Sequence, residues 1–287
     1  MVKLILFAIF ASLITLVTLS RNDIQNWYLT FFDNLPQVKQ TIEQKLNPEI
    51  KKQINTQPIL RAKEESNQSF LTVEGIISFS NTHRTINGLQ PLSENPLLNE
   101  SALAKARDMF EKQYFAHDSP EGIGVSDLAE SAGYEFITIG ENLALGNFLN
   151  DEALVQAWMD SPGHRTNILN SRYTEIGVGV LKDSYQGRMT WIAVQHFGMP
   201  QSACPQVDPQ LFQRTEDSQN RLNQLQNELD SRKQELEQYE PKSAPEYNQK
   251  VEEYNSFVRD YNNLVEETKN LIEQYNSQIR TFNECAS

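Results

Sequence analysis

The sequence predicts an α+β domain set between an apolar N-terminal segment and a C-terminal pair of helices. Three patterns carry that prediction. Residues 73–159 contain three segments with apolar side chains at helical spacing, and residues 176–197 hold two alternating runs rich in β-branched residues. Residues 205–287 place apolar residues alternately four and three apart, the spacing of packed helices. Helices first and paired strands late imply helix layered on sheet and not a βαβ repeat.

Met1-Val2-Lys3 is a short positive start, and Leu4 to Leu19 has no charge, glycine or proline. That run is longer than most signal-peptide cores and slightly short for a comfortable membrane span, and Thr18-Leu19-Ser20 is a weak cleavage site. Residues 1–20 are therefore read as a signal peptide or a membrane anchor. Lys3 ahead of the run places the rest of the chain outside the cytoplasm. Residues 21–69 are polar, with prolines at 36, 48 and 58. Short helices fit Ile24–Phe32 and Val38–Leu46, while Gln53–Gln68 has linker composition, so a stalk is expected.

Residues 70–200 form the expected domain. Val73, Ile76, Ile77 and Phe79 share one face of a helix ending near Gly88. Leu98, Ala102, Leu103, Ala106, Met109 and Phe110 mark a second helix from Leu97 to Tyr114. A third runs from Ala153 to Met159, with Asp151 as its expected N-cap. Ile176–Val180 and Met189–Phe197 read as strands joined by a polar turn over Lys182–Arg188.

The tail opens on Asp208-Pro209, an N-cap followed by proline at the first helical position. Leu222, Leu225, Leu229 and Leu236 follow. Beyond Glu240–Pro245, Tyr247, Val251, Tyr254, Val258, Tyr261, Val265, Thr268, Ile272, Tyr275, Ile279 and Phe282 keep a strict 4/3 alternation. A heptad of this length predicts a left-handed coiled coil over 205–287, folded back as an antiparallel hairpin by the proline-containing loop. The two cysteines, Cys204 and Cys285, then lie roughly 40 residues either side of the turn. At ~1.5 Å per residue they arrive at the same end. A disulfide clamping the hairpin base is expected, as suits an exported protein; two unpaired thiols is the alternative.

Net charge is −13. An acidic domain with an acidic tail and no basic patch excludes nucleic acid as a partner. The sequence also lacks His-Glu-x-x-His, Gly-x-Ser-x-Gly and a phosphate-cradling glycine loop.

Four histidines are present, and two fall in short glycine-punctuated motifs: His117 in Tyr114-Phe-Ala-His117 and His164 in Ser161-Pro-Gly-His-Arg165. Glu141 lies between Gly140 and Asn142. Two imidazoles and a carboxylate make a common first shell for a divalent metal and an equally common acid/base set. Each alone has a plainer reading, such as a helix cap or a surface residue; together they point to a shared polar cleft. His83 and His196 have apolar neighbours and read as structural.

Further motifs accompany these: Asn81-Thr-His-Arg84, Gly88-Leu-Gln-Pro-Leu92, Ala132-Gly-Tyr134, Gly140-Glu-Asn-Leu-Ala144, Trp158-Met-Asp-Ser-Pro-Gly-His-Arg-Thr-Asn-Ile-Leu169, Ile176-Gly-Val-Gly-Val180 and Gln195-His-Phe-Gly198. With Tyr114–Pro120 they resemble the bacterial branch of the CAP superfamily, also called SCP or PR-1-like, in its order and approximate spacing. The resemblance runs from about Phe70 to Met199 and leaves out the stalk and the hairpin. It implies an α-β-α sandwich with a cleft lined by two histidines and two acidic residues, often able to hold zinc. His117, Glu141 and His164 match three of those positions. Glu121 is the nearest glutamate to the fourth, with glycines at 122 and 124.

The function expected is an extracytoplasmic binding or interaction module. Its cleft would hold a divalent metal, zinc first, or a small ligand such as a lipid, through His117, Glu141 and His164 with Glu121 nearby. The alternatives are a metal-assisted hydrolase with Glu141 as general base, or a cell-envelope adaptor meeting a protein partner through the coiled coil. Residues 1–20 would supply membrane contact if uncleaved.

Overall fold

The computed structural model describes residues 45–242 and 245–287. The anchor or signal expected over 1–20, and the stalk as far as residue 44, lie outside the described residues. Among the described residues no helix is long and apolar enough to cross a membrane.

The chain divides into two compact units. One, spanning Asn47–Val207 with Gln278–Ser287, is built on a mixed sheet. Its strands are β1 (Gln53–Thr56), β2 (Leu60–Arg61), β3 (Ser93–Glu94), β4 (Phe136–Leu145), β5 (Glu175–Tyr185) and β6 (Arg188–Pro200). The order is β1-β4-β6-β5-β3, with β2 also paired to β4. Its helices are α1 (Val73–Ile86), α2 (Pro96–Glu111), α3 (Val125–Ser131), α4 (Asp151–Asp160) and α5 (Pro162–Ile168).

Alternation along the strands sorts these helices into two layers. Glu141, Leu143 and Leu145 of β4 share a face with Val194 and Ile192 of β6, and the apolar residues there pack on Ala102, Ala106, Met109 and Phe110 of α2. Ala144, Ala193, Ile176, Val178 and Phe197 face the other way, onto Ile76 and Ile77 of α1 and Leu154, Val155 and Trp158 of α4. The result is an α-β-α sandwich. The glycines of Ile176–Val180 let α2 lie directly on the sheet. A Cβ on Gly177 would stand 2.2 Å from the backbone of Leu98, and one on Gly179 2.3 Å from that of Leu103.

Several local readings change. The α4 N-cap is Asn150, whose side chain accepts from the Ala153 amide; Asp151 instead accepts from the Thr72 amide and hydroxyl, joining the starts of α1 and α4. Strand β5 continues through the polar stretch Lys182–Tyr185, leaving a two-residue turn at Gln186 and Gly187, both at positive φ. The stretch around Gly140-Glu141-Asn142 is the middle of β4, buried along its whole length. Residues 53–61, read as linker, contribute β1 and β2 at the edge of the sheet.

The second unit includes Asp208–Ser277. Here α6 (Pro209–Gln238) and α7 (Pro245–Ala286) run antiparallel. Ser218 meets Thr268, while Glu235 pairs with Lys250 nearer the turn. Leu222, Leu229, Leu236, Tyr247, Val251, Val258, Val265, Ile272 and Tyr275 are buried, so the predicted seam is closed within the chain. In the sheet-bearing unit, Cys204 and Cys285 form the expected disulfide and pack with Phe282, Ala286 and Ile137.

Adding one methyl group at Gly177 or Gly179 must push α2 off β5, because the neighbouring atoms are backbone. Overpacking of this kind costs roughly 1–3 kcal/mol. Gly177→Ala and Gly179→Ala should each lower the unfolding free energy by that amount, read in urea as a lower midpoint at unchanged m-value.

Candidate functional site

Glu141 is the centre of the site. It is fully buried on the α2 face of β4, and its carboxylate is held from two sides. His196, directly opposite in the β4–β6 register, donates from Nε2 to Oε2 at 3.0 Å. His117, on the loop after α2, donates from Nδ1 to Oε1 at 2.5 Å. Behind them, Ser101 Oγ lies 3.0 Å from His196 Nδ1. Buried Lys105 donates to the His117 carbonyl and to Tyr114 Oη, which donates to Asp108. Both partners of His196 come from secondary structure, and β4, β6 and α2 together fix the carboxylate.

His117 Nε2 donates to the main-chain carbonyl of Gln57, between β1 and β2. A ring set between two acceptors needs a proton on each nitrogen. Burial opposes that charge, but the hydrogen bond and charge of Glu141 outweigh it, and His117 lies above the usual histidine range. For Glu141, burial favours the neutral acid; the hydrogen bonds from both histidines and the charge of Lys105 win, holding the carboxyl below its ordinary value.

His164 approaches from the other face of the sheet. Asn142, one residue beyond Glu141, points to that face, where its Nδ2 donates to the His164 carbonyl and to Gln195. Asn167, one helical turn along α5, donates to the Asn142 side chain, the Glu141 carbonyl and the Asn55 carbonyl. Arg84 holds the end of α5 by donating to the carbonyls of Ile168 and Asn170. His164 is 1% exposed, and its Nδ1 lies 2.8 Å from Ser161 Oγ. Its Nε2 is buried without a hydrogen-bond partner among the described residues. Burial, helped by the charge on His117, pushes its pKa down to about 4, so the ring is neutral at pH 7.

Thus His117 and His164 flank the outer edge of β4 from opposite faces, and residues 53–61 lie along that edge. As the side chains stand, His117, Glu141 and His164 are not gathered around one point. Both oxygens of Glu141 and both nitrogens of His117 are engaged, and Glu141 faces away from His164. Among the described residues no three His, Cys, Asp or Glu side chains are grouped to hold a metal ion. Glu121 is not in the cleft either: its side chain is 55% exposed and pairs with Lys112 and Ser119. His196, read as structural, is the missing member of the centre. Its signal was its place directly across from Glu141, which only the strand register reveals. A cavity of about 890 Å³ lies beside β2, with Leu60, Phe148 and Ala157 in its wall, and reaches Ser161.

The profile of the cysteine-rich secretory protein family, CAP, matches residues 77–197. Those residues contain the sandwich, the Glu141 centre and His164. Residues 77–197 form a CAP domain. The CAP domain is of the bacterial SCP type. An uncharacterized protein of Bacillus subtilis, YkwD, is 43% identical over 107 residues, 37% of this chain and 41% of that protein. An uncharacterized membrane protein of the same organism, YlbC, is 36% identical over 110 residues, 38% of this chain and 32% of its own. The chain therefore spans well under half the length of either relative. Among solved structures, an extracellular SCP-domain protein of Bacillus anthracis is 29% identical, covering 44% of this chain and 39% of that one at a TM-score of 0.39.

The charges set a pH optimum for stability. His117 keeps a proton that the unfolded chain would release near pH 6.5, so its contribution is full below that pH and is lost as pH rises through its folded value. His164 is the reverse: its contribution is full above pH 6.5 and is lost as pH falls toward 4. Unfolding free energy should therefore peak near pH 6.5. In urea titrations His164→Asn should flatten the acid limb by on the order of 3 kcal/mol between pH 6.5 and 4. Glu141→Gln should remove the alkaline limb instead.

Proposed function

We propose that the chain is an extracytoplasmic recognition protein whose CAP cleft binds its ligand and does not cleave it. The observation that carries this reading is His164 Nε2. Among the described residues it is the one imidazole nitrogen at the β4 edge left without a partner, in a region where the neighbouring polar groups satisfy one another. A buried polar atom of this kind carries a desolvation cost that a ligand group would relieve. The cavity reaches Ser161, whose hydroxyl lies 2.8 Å from the other nitrogen of that ring.

Hydrolysis is less well supported. Ser161 and His164 do form a hydroxyl–imidazole pair, but a base pushed to about pH 4 activates a hydroxyl poorly. No carboxylate orients its second nitrogen, as an acyl-transfer triad requires. Glu141 is held as a carboxylate inside two hydrogen bonds and has no access to water. A metal would need Gln57 to leave His117 before a second imidazole became available. An exported location agrees with the Cys204–Cys285 disulfide, since such bonds persist in oxidising compartments, and with a relative named as a membrane protein. With its Tyr and Val seam closed internally, the helical hairpin serves best as a polar spacer.

Full-length protein should turn over neither p-nitrophenyl esters nor an unstructured casein substrate above the buffer rate. Turnover that disappears in Glu141→Gln would overturn the binding reading in favour of the hydrolase.

A further inference from the structure

We propose that the cleft is a docking site for an extended peptide, and that residues 53–61 are a built-in, displaceable occupant of it. This rests on the cleft being a recognition site and names the class of ligand.

The CAP domain matches from residue 77, so its sandwich, the Glu141 centre and His164 are all encoded without residues 53–61. Yet that segment lies on the outer edge of β4 as an added strand would. Gln53–Thr56 pair in parallel with Thr138–Glu141, and Leu60–Arg61 with Ala144–Leu145. Between the two pairings, Gln57-Pro58-Ile59 leave the ladder opposite Asn142 and Leu143, one residue more than the facing strand has. That extra residue brings the Gln57 carbonyl onto His117 Nε2. Main-chain pairing with side-chain pockets is the physics of β-strand addition, in which a peptide completes a sheet edge.

The cleft reads the segment at three points. Asn55 Nδ2 donates to Tyr173 Oη at 3.0 Å, and the Asn55 carbonyl accepts from Asn167 at 3.3 Å. Gln57 is read at its carbonyl by His117. Gly163 makes room for Gln57 and Pro58: a Cβ there would lie 2.5 Å from Gln57 Oε1 and 3.3 Å from Pro58 Cδ. The recognised core is therefore Asn-x-Gln-Pro in extended form. His164 lies on the same helix as Gly163 and Asn167, and its Nε2 has no partner among the described residues.

Little apolar burial fixes the occupant. Ile54 is 51% exposed and Ile59 42%; Leu60 alone packs, partly buried, against the core, so the segment is held mainly by its ladder and by polar contacts. Elements with few buried apolar contacts open at low free-energy cost while the core stays closed. An outside peptide with the same core would take the same ladder.

The test uses the full chain with residues 53–61 replaced by an equal number of Gly and Ser, and a fluorescein-labelled peptide of residues 51–62. Anisotropy should show at least tenfold tighter binding to the replaced chain than to wild type. Gly163→Leu in that background should abolish it, and a scrambled peptide should not bind. Failure to bind, or equal binding of the scrambled peptide, would overturn the proposal, provided the β4–β6 amides keep their wild-type exchange protection. If the replaced chain does not fold, hydrogen exchange of wild type decides. Amides of 53–61 should exchange at least tenfold faster than those of β4 and β6; exchange at the same rate as the core would rule out a displaceable segment. Esterase or protease turnover would bear on the binding reading alone, since peptide capture is read without it.

Discussion

A carboxylate with no exposure to water organises the sheet-bearing unit. An unpaired charge at Glu141 would cost several kcal/mol, and the fold answers by bringing a donor from each element around it. Strand β6 places His196 opposite, α2 supplies Ser101 behind that ring and Lys105 behind His117, and the loop after α2 supplies His117. The glycines on β5 belong to the same arrangement. They seat α2 close enough to the sheet for Ser101 to reach His196. Core packing and site geometry are thus one constraint and not two.

Strand alternation explains why His117 and His164 behave differently. Glu141 and Asn142 are neighbours in sequence and so point to opposite faces. His117 joins the carboxylate on one face and is charged; His164 belongs to the amide network of Asn142 and Asn167 on the other and is neutral. They come near each other only around the outer edge of β4, where β1 and β2 pair. The segment on that edge meets the cationic ring through the Gln57 carbonyl.

The sequence made the helices, the two long strands, the seam of the hairpin and the cysteine pair legible, because each depends on local periodicity or on chain length. His117, Glu141 and His164 were legible from their motifs. What was hidden depends on non-local pairing. Strand β4 is buried on both faces, so it shows no alternation, and its Gly140-Glu141-Asn142 imitates a turn. The β1 and β2 segments are short, exposed and polar, with Pro58 between them, which is the composition of a linker. His196 looked structural because it sits in an apolar run, and only the strand register sets it opposite Glu141. Glu121 was placed by spacing alone, and Lys112 and Ser119 hold it on the surface instead.

Arg84 gives the site a property its histidines lack. Buried in α1, it donates to the carbonyls of Gln90, Ile168, Asn170 and Tyr173, tying together the loop after α1, the end of α5 and the approach to β5. Burial lowers its pKa, yet a guanidinium starts so high that it stays charged across the physiological range. Its hold on the wall carrying Gly163, His164 and Asn167 is therefore blind to acidity, although the imidazoles are not. A change of compartment would recharge the contents of the groove without reshaping its banks, so any response to pH would be one of affinity and not of architecture.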